Sequence, residues 1–292
     1  MTRMVDAIGR QITARQLDAA DRWMKRTGSI AYMLAAVRYC VFFAVMSLRA
    51  DSLQRLLATL LIVIPGASLG HFVAIYFMES GESMLRQTPT ELSSKSLALT
   101  AGLFSGALGF LMLVVASRDL FRKVAVEDAL WALPLALTLL YGAASCLNPA
   151  SLNLRIHAGA AAPQEAIGML MFIAKVPLRL IPVAFGSYAL LAMGSAGYFC
   201  YRSASGENPE QWFVKAIDFA PQAMLCGLLP MALYLASVLA QLIVGVLQAS
   251  LDTAAGIRGL EGSTSWASAE ASDASEEGHD PRTTSPEALP TP

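Results

Sequence analysis

Six long apolar stretches, 30–48, 56–78, 97–116, 129–147, 180–201 and 222–248, constrain this chain more than any other feature. Each is about as long as the ~20 residues a helix needs to cross a bilayer's hydrocarbon core. They are unbroken runs, unlike the alternating segments of roughly ten residues that build a membrane β-barrel. Backbone groups in hydrocarbon must bond within their own segment, so a helical bundle is the expected form. Composition agrees: 55% of residues are hydrophobic and 15% charged, against ~25% charged in an average soluble domain. The fold class read here is all-α, a polytopic membrane helical bundle with six transmembrane helices.

The runs divide the chain into three parts. Residues 1–29 form a cytoplasmic basic amphipathic segment carrying Arg3, Arg10, Arg15, Arg22, Lys25 and Arg26. At helical period Met4, Val5, Ile8, Ile12, Ala19 and Trp23 share one arc, while Leu17 and Met24 fall outside it. That pattern suits a helix lying on an anionic inner leaflet or packing on the protein's own loops. Residues 30–251 form the membrane domain. From Asp252 onward Gly, Ser, Thr, Pro, Asp and Glu dominate, so 252–292 is expected to be a disordered cytoplasmic tail. The first run is too long for a signal-peptide core and is expected to serve as its own insertion signal.

Local chemistry marks several boundaries. Thr88-Pro89-Thr90-Glu91 reads as a capping box, so the third helix is expected to start near Pro89. Asn208-Pro209-Glu210-Gln211 repeats that logic and opens an expected interfacial helix, with Trp212, Phe213, Ala216, Ile217 and Ala220 on one face. The fifth apolar region is longer than one crossing requires and is interrupted by Lys175, Pro177, Arg179 and Pro182. Placing its span at 180–201 leaves 166–174 as an interfacial or re-entrant approach, or as part of a long fifth helix. With that assignment the N-terminal side of the membrane carries 13 Lys/Arg and the other side 7. The positive-inside rule then puts both termini in the cytoplasm, and the membrane expected is a bacterial inner membrane.

Four ionisable residues stand out as candidates for contact with a partner or an anion. Arg38 lies near the middle of the first span, where a charge costs ~2.5–3.5 kcal/mol on insertion scales. No Asp or Glu falls within the six spans. Its acceptor is therefore a backbone carbonyl, a hydroxyl, lipid phosphate, a bound anion or another subunit's carboxylate, unless it snorkels to an interface. His71, just past the middle of the second span, suits a hydrogen bond to a neighbouring helix, or proton or ligand binding. Lys175 and Arg179, one turn apart, either anchor the fifth span or meet an anionic lipid headgroup or a partner's acidic segment. Gly66 with Gly70, and Gly102 with Gly106, give small-xxx-small faces for helix packing.

The function classes left are few. Catalytic triads, paired carboxylates, HExxH and phosphate-binding loops are absent from the sequence, and His157 with His279 makes no zinc ligand set. Cys40, Cys146, Cys200 and Cys226 lack CxxC spacing and read as small apolar side chains. No catalytic residue, cofactor or metal is assigned, and a net charge of −1 argues against nucleic acid. The expectation is a non-enzymatic inner-membrane subunit that assembles with other membrane proteins or with itself, for instance in a secretion, conjugation or envelope complex, and meets anionic lipid at its cytoplasmic face. The alternative is a small transporter or channel with its site near the Pro/Gly elements of the second and fifth spans, Pro65–Gly70 and Pro182–Gly186.

Overall fold

The computed structural model describes residues 13–49, 53–87, 90–92, 95–122, 126–156, 162–205 and 209–276. Seven α-helices are found among them: α1 Ala14–Arg49, α2 Leu53–Gln87, α3 Ser96–Arg122, α4 Val126–Leu147, α5 Ala162–Ala204, α6 Pro209–Leu225 and α7 Leu229–Glu276. Six helical segments are long and apolar enough to cross a membrane, α6 and α7 together supplying the sixth, Gln211–Leu251. The architecture is a multi-pass membrane helical bundle. Residues up to Val244 make one compact unit, and a second runs from Gly245 to Pro292.

α1 and α5 are the spine of the first unit, and they run in the same direction. Asp18 meets Arg179 at 2.8 Å near one end. Further along, Tyr39 and Ser195 hydroxyls lie 3.2 Å apart, and Ser203 donates to the Met46 sulfur at 3.3 Å. Gly28 and Gly186 mark their closest approach, since a Cβ added to Gly28 would sit 2.5 Å from the Gly186 Cα. α3 and α4 form a hairpin on the α5 side. Its tight seam uses Gly102, where an added Cβ meets Leu147 at 3.1 Å, and Gly109, where one meets Leu139 and Leu140 at 3.0 Å.

Several boundaries differ from the sequence reading. α1 is continuous from Ala14, so residues 14–29 are its first turns and not a separate surface helix. Leu17, outside the apolar arc, is buried there, while Trp23 is exposed. Charge pairing, described below, turns Asp18 and Asp21 inward and carries Leu17 with them. Residues 1–12, with the rest of the arc, lie outside the described residues. The capping-box start of the third helix is corrected too. Thr90–Leu92 forms a short parallel strand pair with Leu154–Ile156, and α3 begins at Ser96. Leu92 is the reason: it is buried with Leu152, Leu154, Cys146 and Phe172, which holds its backbone extended.

Two proline-rich regions behave in opposite ways. α5 passes through Pro177 and Pro182 as one helix of 43 residues, about 65 Å at 1.5 Å per residue. The re-entrant or interfacial reading of 166–179 therefore gives way to the long fifth helix. α2 likewise continues through Pro65. The sixth crossing is the broken one: α6 stops at Leu225, a 3₁₀ turn covers Cys226–Leu228, and α7 resumes at Leu229. Pro230 lies at the break, where it lacks the N–H that would bond the Cys226 carbonyl, and the chain there presses Gly227 against Gly70. α6, the segment expected as an interfacial helix, runs on into the sixth candidate crossing, Gln211–Leu251. Its Ala216, Ala220 and Ala223 are buried against Tyr39, Phe42 and Phe43 of α1.

α7 also runs further than expected, to Glu276, past the Asp252 boundary proposed for the tail. No proline occurs between Pro230 and Pro281 to stop it, and Ala254, Ala255, Ala267, Ala269, Ala271 and Ala274 favour helix. Residues 277–292 lie outside the described residues.

Candidate functional site

The most polar interior point of the molecule lies where the first turns of α1 meet α5, α4 and the end of α2. Arg179, on α5, is buried. Its Nη2 donates to Asp18 Oδ1 at 2.8 Å and its Nη1 lies 3.0 Å from Asp21 Oδ2. Asp18 and Asp21 are three residues apart, so one face of α1 presents both carboxylates to one guanidinium. The Tyr141 hydroxyl of α4 donates to the other oxygen of Asp21. Three helices are therefore tied through a single carboxylate, Asp21, whose side chain keeps only 15% of its exposure. The Arg179 Nε is buried and without a hydrogen-bond partner.

Lys175, one turn before Arg179, is fully buried and donates to the Asn153 carbonyl at 3.4 Å. Asn153 adopts a left-handed backbone, φ 52°, a conformation that asparagine tolerates better than most residues. Its side-chain amide reaches the last turn of α2, donating to Arg86 O at 3.0 Å and to Leu85 O at 3.4 Å. Those carbonyls belong to the last turn of α2, where no following turn can satisfy them. Around this floor opens a cavity of about 310 Å³, bordered by Asp18, Asp21, Arg22, Lys25, Glu82 and Arg86 among others. At its mouth Lys25 pairs with Glu79 at 3.3 Å and Arg86 with Glu82 at 2.6 Å.

Lys175 and Arg179 therefore share this site, but both are inside the protein. The carboxylates beside Arg179 come from α1, so of the two readings the one in which these cations meet a lipid headgroup or a partner's acidic segment does not fit their burial. Arg22 is exposed at the rim of the cavity. Asp18, Asp21, Tyr141 and Asn153 were not among the sequence candidates. The i, i+3 spacing of Asp18 and Asp21 is the sequence signal that points to two of them.

The other candidates lie elsewhere. Arg38 is exposed on α1, where its Nη1 donates to the Met193 carbonyl of α5 at 3.0 Å. A Cβ added to Gly197 would come within 3.0 Å of that nitrogen, so Gly197 makes room for the guanidinium. His71 Nε2 lies 2.6 Å from the Ser29 hydroxyl, and its ring stacks 6.3 Å from that of Tyr32. Gly70 packs under the Tyr32 hydroxyl, which an added Cβ would strike, whereas Gly66 has only an ordinary 3.8 Å contact with Met224. Gly106 faces Ala143, at 3.3 Å from an added Cβ.

Chemically, the cluster can hold charge and position helices. No group of three or more His, Cys, Asp or Glu that could bind a metal occurs among the described residues. Cys146 and Cys226 are buried, and all four cysteines are free. His157 and His279 lie outside the described residues. Comparison with protein-family models, curated proteins and solved structures finds no match to this chain.

Proposed function

We propose that this chain is a non-enzymatic subunit of a bacterial inner-membrane assembly and that it binds another membrane protein through α1. Arg38 carries the reading. It sits in an exposed apolar stripe, Leu34, Val37, Val41 and Val45, at the i, i+3, i+4 spacing of one helix face. A guanidinium has five donors, and the Met193 carbonyl accepts from one of them. Within hydrocarbon the others call for acceptors, and a carboxylate on a partner's helix supplies two in bidentate geometry. The charges of the Arg179 cluster, by contrast, are spent inside the chain. Anionic lipid at the cytoplasmic rim, near Arg22, completes the set of partners.

The test is co-purification after gentle detergent extraction. Arg38→Ala should lower the recovered partner by about tenfold, in line with ~1–2 kcal/mol for an interhelical polar contact in a membrane. The chain itself should still insert. Arg38→Lys should restore only part of the loss, since an ammonium cannot make the bidentate pair. Equal partner recovery from all three proteins would remove Arg38 from the interface.

Orientation is part of the proposal. The basic bias and an even number of crossings favour both termini in the cytoplasm. A reporter active only outside the cytoplasm, fused after Leu251, should give no signal, and a strong signal would invert the bundle.

A transporter or channel is the second reading, favoured by the broken sixth crossing, since discontinuous helices build many transporter sites. Its site would then lie at the α6–α7 break, because α2 and α5 are continuous through Pro65 and Pro182. Solute uptake by the pure protein in liposomes, with no co-purifying partner, would put this reading first.

A further inference from the structure

The α6–α7 break meets the middles of α1 and α2. The Tyr32 hydroxyl donates to the Met224 carbonyl at 3.0 Å, and a Cβ added to Gly227 would lie 2.9 Å from the Gly70 carbonyl. On the opposite side the break opens a lateral cleft of about 530 Å³, bounded by Trp131 of α4, Tyr188 of α5, and Gln222, Leu225, Cys226 and Leu229 around the break. That volume falls within the usual range for small-molecule sites. The Trp131 ring lies 5.8 Å from that of Tyr188 and 5.0 Å from that of Phe219, giving the cleft an aromatic wall.

Three polar groups border this cleft: the Trp131 indole N–H, the Tyr188 hydroxyl and the Gln222 amide. Each belongs to a membrane-crossing segment, and none has a hydrogen-bond partner among the described residues. In apolar surroundings such groups cost free energy unless something bonds them. Lipid tails cannot. No charged side chain lines the cleft, so its occupant is neutral. The Trp131 N–H can only donate, and the Tyr188 hydroxyl and Gln222 amide can donate as well as accept, so an occupant with acceptor oxygens suits all three, and the aromatic wall favours a flat ring. Leu225, at the cleft, is exposed, so the cleft is open at the bundle surface and admits a ligand that arrives dissolved in the membrane.

We propose that this cleft binds a membrane-dissolved lipophile whose flat, carbonyl-bearing ring, of the quinone class, accepts hydrogen bonds from Gln222 and Tyr188 beside Trp131. The site does not depend on the Arg38 interface and stands or falls separately from it.

Decylbenzoquinone, which quenches indole fluorescence on contact, is the probe. In phosphatidylcholine nanodiscs, a chain with Trp23, Trp212 and Trp266 changed to Phe leaves Trp131 as sole reporter. Saturable quenching is expected, with affinity about three- to tenfold weaker in Gln222→Leu and in Tyr188→Phe, the effect of one hydrogen bond each. Quenching that rises linearly with quinone in the membrane would overturn the proposal. So would unchanged affinity in both variants, or displacement by a brominated alkane at equal concentration, which would make the cleft an acyl-chain groove only. Should the triple-Phe chain not fold, a diazirine-tagged decylbenzoquinone on the wild-type protein gives the same decision. Labelling of peptides carrying Trp131, Tyr188 or Gln222, competed by untagged quinone, supports the site, and labelling spread over all spans without competition overturns it.

Discussion

Arg179→Met should destabilise the bundle by about 3–5 kcal/mol, the usual cost of removing one partner from a buried ion pair. The methionine fills much of the space, so lost packing is a minor part of the effect. What remains is Asp21, mostly buried and bonded to Tyr141, facing no cation. Asp18 is half-exposed, so water can solvate it, and Asp18→Asn alone should cost under about 1 kcal/mol. Asp21→Asn combined with Arg179→Met should recover a large part of the loss, because a neutral amide removes the stranded charge. Detergent melting of the single and double variants gives the coupling directly. Additive losses would mean that the two residues do not act as a pair. A fall confined to Asp18→Asn would move the weight of the cluster to the exposed carboxylate.

The same cluster marks where sequence legibility ends. Six crossings could be read from apolar run length alone, because hydrocarbon leaves the backbone few other forms. The partner of Arg179 could not be read in that way. A count of carboxylates inside the apolar runs returns none, yet α1 begins well before its apolar run and brings Asp18 and Asp21 level with Arg179. Tyr141, an unremarked residue of an apolar stretch, completes the contact. Helix continuity was equally opaque. Pro65, Pro177 and Pro182 leave their helices unbroken, whereas Pro230 coincides with a break next to Gly227, where the chain presses on Gly70. A proline's local effect is the same in each case, and tertiary packing decides whether the freed carbonyl is absorbed or the helix parts.

Glycine spacing points to packed positions such as Gly70, Gly102 and Gly106 but passes over the α1–α5 crossing, and substitution at that crossing should produce the second large effect. Gly28→Ala should strongly destabilise the protein, by about 2–3 kcal/mol or more, since overpacking a tight core costs ~1–3 kcal/mol and the obstacle here is backbone. The added carbon meets the Gly186 Cα at 2.5 Å and its nitrogen at 3.2 Å, so no rotamer change relieves it. Gly186→Ala should behave alike, because its Cβ would meet the Met24 carbonyl oxygen at 2.8 Å. Neither glycine has another four residues away, so small-xxx-small spacing does not reveal the crossing. The conspicuous Gly66 supplies the control. Its nearest neighbour is the end of the flexible Met224 side chain at 3.8 Å, and Gly66→Ala should be neutral or slightly stabilising, as alanine favours helix. Melting of the three variants in one detergent ranks them. Should Gly66→Ala lose as much as Gly28→Ala, the α1–α5 crossing is not the tightest point of the fold. Should all three melt like wild type, the two helices are further apart than the spine described here requires.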